Sequence, residues 1–529
     1  TLLCALSCLS GSHFPAPSCC EDTMTASLFG FSIYRQVTAD ISSRLRNQFR
    51  EWLMLRPIVF CLSFCFSIAG ASAYADDRAD ILEFLDSRYD QTASIAKQIW
   101  NHAEVGYQEY QSSQLLQDTL KAEGFKVDAG VAGIPTAFVA SYGSGAPVIA
   151  ILAEFDALPG INQSASPIRG PIEGKPAGHA CGHNLFGAGS TQAAIALAHW
   201  LKSNDKQGTV RLYGTPAEEG GSGKVYLVRE GLFKDVDIAM HWHPDGANSA
   251  NSRTTLANRS AKFRFRGTSA HAAGAPDKAR SALDGVEAMN MMANMMREHV
   301  PQQTRMHYVI TDGGNAPNVV PDFAEVFYYL RHPRAATVQE LWARLEDAAR
   351  GAALGTGTKV DWEIIHGNHS LVINETLQKM MHEKLTQVGG ITYSPEEQKF
   401  AEELYATLNM PNRKLGSEKD IQPYEVSLGY GSTDVGDVSI AVPTVGLRTA
   451  TYVPGTAGHS WQSTAAAGMS IGFKGAHIAA KTLALAGIEL FENEDLRQAA
   501  RQEFDAFRGS DFVYEALLGD RKPPLDYRN

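Results

Sequence analysis

Apolar positions change their period along this chain, and the changes mark out its elements. From Asp80 to Glu104, Ile81, Leu85, Ile95 and Ile99 fall at spacings that one helical face gathers, and Leu116 and Leu120 continue the pattern between Glu109 and Glu123. Two amphipathic helices are predicted to open the folded part. Apolar runs then alternate with helical stretches: PVIAILAEF from Pro147, a helix over Leu185 to Leu201, TVRLYGT from Thr209, and a run that closes on MHWH at His243. The runs are continuous rather than alternating, which predicts a sheet covered by helices on both faces. In such α/β sheets ligands sit beyond the carboxyl ends of strands, and Asp156, Glu218, Glu219 and His241 fall at those places.

The period changes again over Ser260 to Gly367. SAKFRFRG reads as a strand, Ser281 to His299 as a helix, MHYVITDGG and AEVFYYLRH as strands, Val338 to Ala352 as a helix, and TKVDWEIIHG as a last strand. That order is the ferredoxin-like α+β unit. LVINETLQKM, VPTVGLR and a helix over Gly472 to Leu485 return to the first pattern, so the unit is read as an insertion into an α/β domain. The resulting boundaries are 76–258 and 368–490 for the larger domain, 259–367 for the insertion, and a charged tail over 491–529 that wraps the surface. The methionines of MNMMANMM from Met289 are read as ordinary helix packing, because Met fills irregular core gaps.

Residues 1–53 hold no period for more than a few residues and are read as outside the mature protein. From Met54, MLRPIVFCLSFCFSIAGASAYADD has the layout of a secretory signal: Arg56, an apolar stretch from Pro57 to Ala69, and small residues at Ala73 and Ala75. That stretch is short of the roughly 20 apolar residues a membrane span needs. Export, with a periplasmic or secreted mature chain and no membrane attachment, is the expectation. Six of the seven cysteines stand upstream of Ala75, so only Cys181 remains and no disulfide framework can form. Without residues 1–75 the chain carries 42 basic and 54 acidic residues, net −12, which offers no nucleic-acid footprint.

The remaining cysteine stands in GHACGHN, residues 178–184. Thiolate and imidazole are ligands for zinc and other first-row divalent ions, and Cys181 and His183 on a glycine turn can converge on one site. An inert cysteine beside a helix-capping Asn184 is the plain alternative. In TPAEEGGSGK, Glu218 and Glu219 are adjacent carboxylates at a strand end, pointing opposite ways, so that one can face a metal and the other the water it activates. A solvated acidic turn is the alternative there. His241 and His243 lie on one side of a strand, and pattern alone does not choose between them. His459, in GTAGHSW, is flanked by small residues that permit close approach.

Seven segments in order (GHACGHN, YGTPAEEGGSGK, DIAMHWHP, GTSAHAAGAP, NAPNVVPD, GSTDVGDVS and GTAGHSW) resemble the dinuclear metal-dependent amidohydrolases, nearest the aminobenzoyl-glutamate hydrolase B type. Auxin-conjugate hydrolases, aminoacylases and glutamate carboxypeptidases are more distant. The resemblance covers roughly Asp80 to the tail. It implies a metallopeptidase-like catalytic domain with a lid and dimerisation insertion, and two divalent ions, Mn2+ or Zn2+, per subunit. Cys181 would bridge them, with His183, Glu219, His241 and His459 completing the ligands. His241 is preferred because the family histidine stands three residues before the proline, here Pro244. Glu218 would be general base and acid, and His271 would steady the oxyanion in the active site of the other subunit of a homodimer. Asn318 and Arg331 would hold a substrate carboxylate, and His179 would support the ligands. Glu154 stands where relatives often carry aspartate. The implied reaction is hydrolysis of an N-acyl or aryl-acyl amino acid, p-aminobenzoyl-glutamate-like, by a metal-activated water. A dipeptidase or carboxypeptidase acting on short peptides is the runner-up, and a catalytically silent metal-binding protein the third reading.

Overall fold

The computed structural model describes residues 78–528. The expected leader, its cleavage site and the six upstream cysteines lie outside those residues. Helices over 78–87, Tyr89–His102 and Tyr110–Ala122 open the chain. The first two divide what periodicity reads as one run from Asp80, because a turn falls at Arg88. Arg88 there pairs with Glu123 at 2.5 Å and donates to Gln192 at 3.0 Å, contacts that a straight helix would have to aim differently.

Five strands of the large sheet follow, apart from the two-residue strands Leu158–Pro159, Ala177–Gly178, Ser252–Arg253 and Val426–Ser427 that pair elsewhere: β1 (Lys126–Ala129), β2 (Phe138–Ser144), β3 (Val148–Ala153), β4 (Gly208–Gly214) and β5 (Ile238–Asp245). Four more belong to the inserted unit: β6 (Ala257–Arg266), β7 (Arg305–Asp312), β8 (Phe323–His332) and β9 (Lys359–Asn368). The last, β10 (Thr444–Ala450), returns to the first sheet. Its order is β1-β2-β4-β3-β5-β10. β4, β3, β5 and β10 run parallel, and β2 and β1 extend the edge in antiparallel fashion. β3 is buried at every position but its first, as a continuous apolar run requires.

Helix His183–Ser203 crosses β3, β4 and β5, and helix Ser470–Glu492 packs on it. Of the 21 residues of His183–Ser203, 18 are buried, so this helix is enclosed rather than amphipathic at a surface. Its first turn therefore points into protein, where a polar group needs partners.

The inserted sheet has the order β7-β8-β6-β9, all antiparallel, with helices Ala282–Met296 and Ala335–Thr356 packed together against it. The element order is the one the sequence pattern predicts. Phe263, Phe265, Val286 and Trp342 form its own core, each fully buried aromatic or branched side chain stabilising by about 1.5–3 kcal/mol. Met289 and Met296 join that core, whereas Met291, Met292 and Met295 are exposed, so packing accounts for only part of the methionine run. Helix Glu494–Arg508 follows, and residues 509–528 wrap the body without further helix or strand.

Candidate metal centre

Separate stretches of chain deliver chemistry to the carboxyl side of the large sheet. Glu154 and Asp156 follow β3, both buried. Gly182, at φ +77°, turns the chain between Cys181 and the helix that begins at His183. A Cβ at Gly182 would collide with the Tyr452 hydroxyl and Pro244, so only glycine lets the two ligands approach from one turn. Glu218 and Glu219 stand beyond β4, and His241 and His243 lie on β5. His459, at φ +59°, precedes helix Trp461–Ala467 and is held by its own N–H donating to the Ala180 carbonyl at 3.0 Å.

Ligand atoms of Cys181, His183 and His243 lie within 4.8 Å of one another, as do those of Cys181, Glu219 and His459. Cys181 belongs to both groups, the position a bridging ligand takes. The imidazoles are presented in defined tautomers. His183 Nδ1–H donates to Asp156 Oδ1 at 2.8 Å, and His243 Nδ1–H donates to the Pro244 carbonyl at 2.7 Å, which turns both Nε2 atoms inward. His243 Nε2 is 3.4 Å from Cys181 Sγ, and His459 Nε2 is 3.2 Å from Glu219 Oε1. The other oxygen of Asp156 accepts from the Glu219 N–H at 2.9 Å, so one carboxylate orients ligands of both groups.

Three buried atoms in this cluster, His183 Nε2, Glu154 Oε2 and Glu219 Oε1, make no well-aligned hydrogen bond and meet only one another and His459: Glu154 Oε2 lies 3.1 Å from His183 Nε2, and Glu219 Oε1 3.2 Å from His459 Nε2. Their convergence with a thiol and two further imidazoles is a donor set that fits two first-row divalent ions. Burial, reinforced by Glu219, pushes the Cys181 thiol far up, and a cation is what would allow it to ionise there. Burial also raises Glu218 well above the usual carboxylate range, helped by Glu154, Glu219 and Asp434. Ligand atoms of Glu218, Glu154 and His183 form a third group within 4.8 Å of one another, without the thiol.

The expectation for β5 is corrected: His243, not His241, joins Cys181 and His183. His241 faces the cavity one residue pair earlier, where its ring lies across Gly446 of β10, and a Cβ on Gly446 would collide with it. Burial, with Arg448 and Lys224 nearby, lowers His241 to about 3, so it is neutral. His179 stands behind the turn with Nε2 bonded to the Ile99 carbonyl at 3.0 Å. Asn184 does not cap its helix; its amide donates to the carbonyls of Ala96 and Ala467 at 3.1 and 2.9 Å.

His271, Asn318 and Arg331 do not reach the centre within one chain. His271 is exposed, its Nδ1 accepting from the N–H groups of Ala273 and Gly274. Asn318 is exposed beside it, its carbonyl accepting from Ala272. Arg331 lies on β8 with its guanidinium 5.2 Å from the Tyr329 ring, and none of the three lines the cavity.

Residues not singled out from the sequence complete the surroundings. Lys224, wholly buried, pairs with Glu154 at 2.6 Å and Asp434 at 2.7 Å, and its backbone N–H donates to Asp434 at 2.9 Å. Glu154 in turn lies 3.1 Å from His183 Nε2. The available signal was a lysine heading the otherwise apolar stretch KVYLV. Glu109, fully buried, accepts from the Ala217 N–H at 2.8 Å and from Thr136 at 3.0 Å, and so holds the turn before Glu218. The cavity in front of the ligands measures about 660 Å³ and extends to Arg253, Arg413 and Arg448. Arg448 pairs with Asp245 at 2.9 Å, whereas Arg253 and Arg413 make no ion pair among the described residues.

Comparison with known proteins adds to this geometry. Residues 150–414 match the model of peptidase family M20/M25/M40. The chain is 40% identical over 452 residues to the B subunit of the p-aminobenzoyl-glutamate hydrolase of Escherichia coli (strain K12), covering 80% of this chain and 93% of the relative. It is 30% identical over 436 residues to the Xaa-Arg dipeptidase of Mus musculus, covering 80% and 90%. Among solved structures, a dinuclear metal binding M20 peptidase of Bacillus subtilis aligns with a TM-score of 0.54 at 17% identity, covering 77% of this chain and 99% of that one. The aminobenzoyl-glutamate utilization protein of Klebsiella pneumoniae aligns at 0.53, also with 17% identity, covering 77% and 97%. These two likenesses show a shared fold.

Proposed function

We propose, from the premise that this chain belongs to peptidase family M20/M25/M40 and is a hydrolase of amide bonds, that it cleaves N-acyl or aryl-acyl amino acids whose amino-acid part is acidic, p-aminobenzoyl-glutamate-like. The observation that carries this reading is the pair of ligand triads sharing Cys181, with Glu218 beside them. Cys181, His183 and His243 would hold one divalent ion, and Cys181, Glu219 and His459 the other; zinc suits the thiolate, manganese the carboxylate. When bound, the two ions supply Lewis acidity toward a carbonyl oxygen and toward water.

The rest is work for the chain's own side chains. Glu218 takes a proton from the attacking water and returns it to the leaving amine nitrogen as the amide bond breaks, a role its raised affinity for protons suits. Asp156 keeps His183 and Glu219 aimed while charge shifts. Arg253 and Arg413, unpaired by acids, offer the cavity's far end to a carboxylate. His271, Asn318 and Arg331 would act from the lid of a second copy, His271 toward the oxyanion and the other two toward the substrate, which makes a homodimer the working form. The Escherichia coli relative is named as one subunit of its hydrolase, which makes a hetero-oligomer the other arrangement. The leader-like residues 54–75 support export.

A dipeptidase reading is favoured by one observation, the identity to an Xaa-Arg dipeptidase, and Glu425 at the cavity would face a basic residue. Release of glutamate from p-aminobenzoyl-glutamate, set against release of arginine from Xaa-Arg dipeptides, separates the two. Glu218→Gln should bind metal as the unaltered chain does and lose about 10²–10⁴ in kcat; undiminished turnover rejects Glu218 as the base.

A further inference from the structure

We propose that residues 509–528 form a strap that positions the Glu218–Glu219 turn, with Tyr527 and Arg528 as positioning residues for the ligand Glu219; the inference rests on the metal-centre reading above. The turn that follows β4 leaves backbone groups without sheet partners. Most are satisfied within the domain: the Glu218 carbonyl accepts from Gly220 at 2.7 Å, the Ala217 carbonyl from Gly221 at 3.0 Å, and the Gly221 carbonyl from the Tyr107 hydroxyl at 2.6 Å. The Glu219 carbonyl differs. Its donors come from the far end of the chain, the Tyr527 hydroxyl at 3.2 Å and Nη2 of Arg528.

That end is built into place. Tyr527 meets Tyr107 edge to face with ring centres 5.5 Å apart, and its hydroxyl occupies the space where a Cβ on Gly106 would lie. Gln108 donates to the Leu525 carbonyl at 2.7 Å. Upstream, Arg229 donates to the carbonyls of Gly519 and Arg521 at 3.0 and 2.8 Å, which fixes the strap to the catalytic domain. Arg521 donates to the Ile364 and Ile365 carbonyls and to Glu363 of β9, which fixes it to the inserted unit. Leu517 packs in the core of that unit and Leu518 in the larger core. The strap thus ties both units together and ends on the peptide that carries a metal ligand.

The consequence is mechanical. The N–H of Glu219 is held by Asp156, which also holds His183, and its carbonyl is held by the strap. With both sides of the residue anchored, the direction of its carboxylate toward Cys181 and His459 is set before an ion arrives. Preorganisation of this kind is worth about 10–100-fold in metal affinity when a supporting contact is lost.

The test is calorimetric titration of the metal-free full-length chain with Zn2+, run on the unaltered protein, on Tyr527→Phe, and on Tyr527→Phe/Arg528→Gln. Thermal midpoints are measured alongside, and Arg528→Lys serves as the conservative variant. The expected result is a loss of roughly 10-fold or more in affinity for one of the two ions in the double variant, smaller in Tyr527→Phe, with the other ion unaffected and partial recovery in Arg528→Lys. With amide substrate, kcat should fall while KM changes by less than about 3-fold, since nothing in the cavity is altered. Two ions bound with unaltered affinity by both variants overturn the inference and leave the metal centre standing. Equal weakening of both ions, together with a lowered thermal midpoint even in Tyr527→Phe, overturns it in favour of a purely structural strap. Fewer than two ions on the unaltered chain would defeat the metal-centre reading, and this inference with it.

Discussion

Lys224→Met tests whether the buried charges behind the centre form one unit. The lysine is wholly enclosed, with Glu154 at 2.6 Å and Asp434 at 2.7 Å, and both carboxylates are themselves buried. Burial works against its charge, but Asp434 and Glu154 outweigh that and raise it above the usual lysine range, so it stays a cation. Methionine keeps most of the stem's volume but removes the charge, and the two buried carboxylates would then lose their shared counter-ion, leaving Glu154 only His183 at 3.1 Å. Breaking a buried pair in this way costs about 3–5 kcal/mol. At about 2–4 °C per kcal/mol for domains of 150–250 residues, the midpoint should fall by roughly 6–20 °C, nearer the lower figure in a domain this large. Differential scanning calorimetry of metal-free protein is the assay, because bound ions would add stability by mass action. Lys224→Met/Glu154→Gln/Asp434→Asn should recover much of the loss, since neutral groups in such places are often tolerated as well as ions. A single variant melting within about 2 °C of the unaltered protein, or a triple variant no better than the single, would refute the reasoning.

Three further outcomes are expected. His243→Ala should lose one bound ion in elemental analysis while His241→Ala keeps both, because only His243 stands against Cys181; equal losses would restore the choice between them. Asp437, whose oxygens accept from the His369 N–H and the Tyr514 hydroxyl, both at 2.8 Å, is raised by burial from 3.8 to about 6. Its protonated form is favoured in the fold, so its contribution is complete below about pH 4 and fades as pH rises through 6, by about 3 kcal/mol in all. The urea midpoint of the unaltered chain relative to Asp437→Asn should accordingly shrink between pH 4 and 7, and a constant difference would contradict this. Arg253→Gln and Arg413→Gln should each raise KM for an acidic substrate by about 10-fold, the value of one charge-assisted hydrogen bond, with little change in kcat; unchanged KM in both would remove them from substrate binding.

The sequence by itself determined the element order, because periods of 3.6 and 2 are local properties that survive without neighbours. The continuous apolar runs became the parallel core of the large sheet, and the strand-helix-strand-strand-helix-strand order became the four-stranded insertion. It also singled out the residue types that gather at the carboxyl side of the large sheet, since a thiol, imidazoles and paired carboxylates stand out in composition wherever they fold. What only the tertiary structure decided is who meets whom. His241 and His243 share one face of β5, and the choice between them depends on Gly446 of a strand some 200 residues later, which gives His241 room to lie aside. Lys224 drew no reading from the sequence, and its pairing with Glu154 and Asp434 exists only in the fold. The carbonyl of Glu219 finds its donors at Tyr527 and Arg528, more than 300 residues away. Spacing along a chain carries no information about such partners, because they are fixed by packing of enclosed elements rather than by any local repeat.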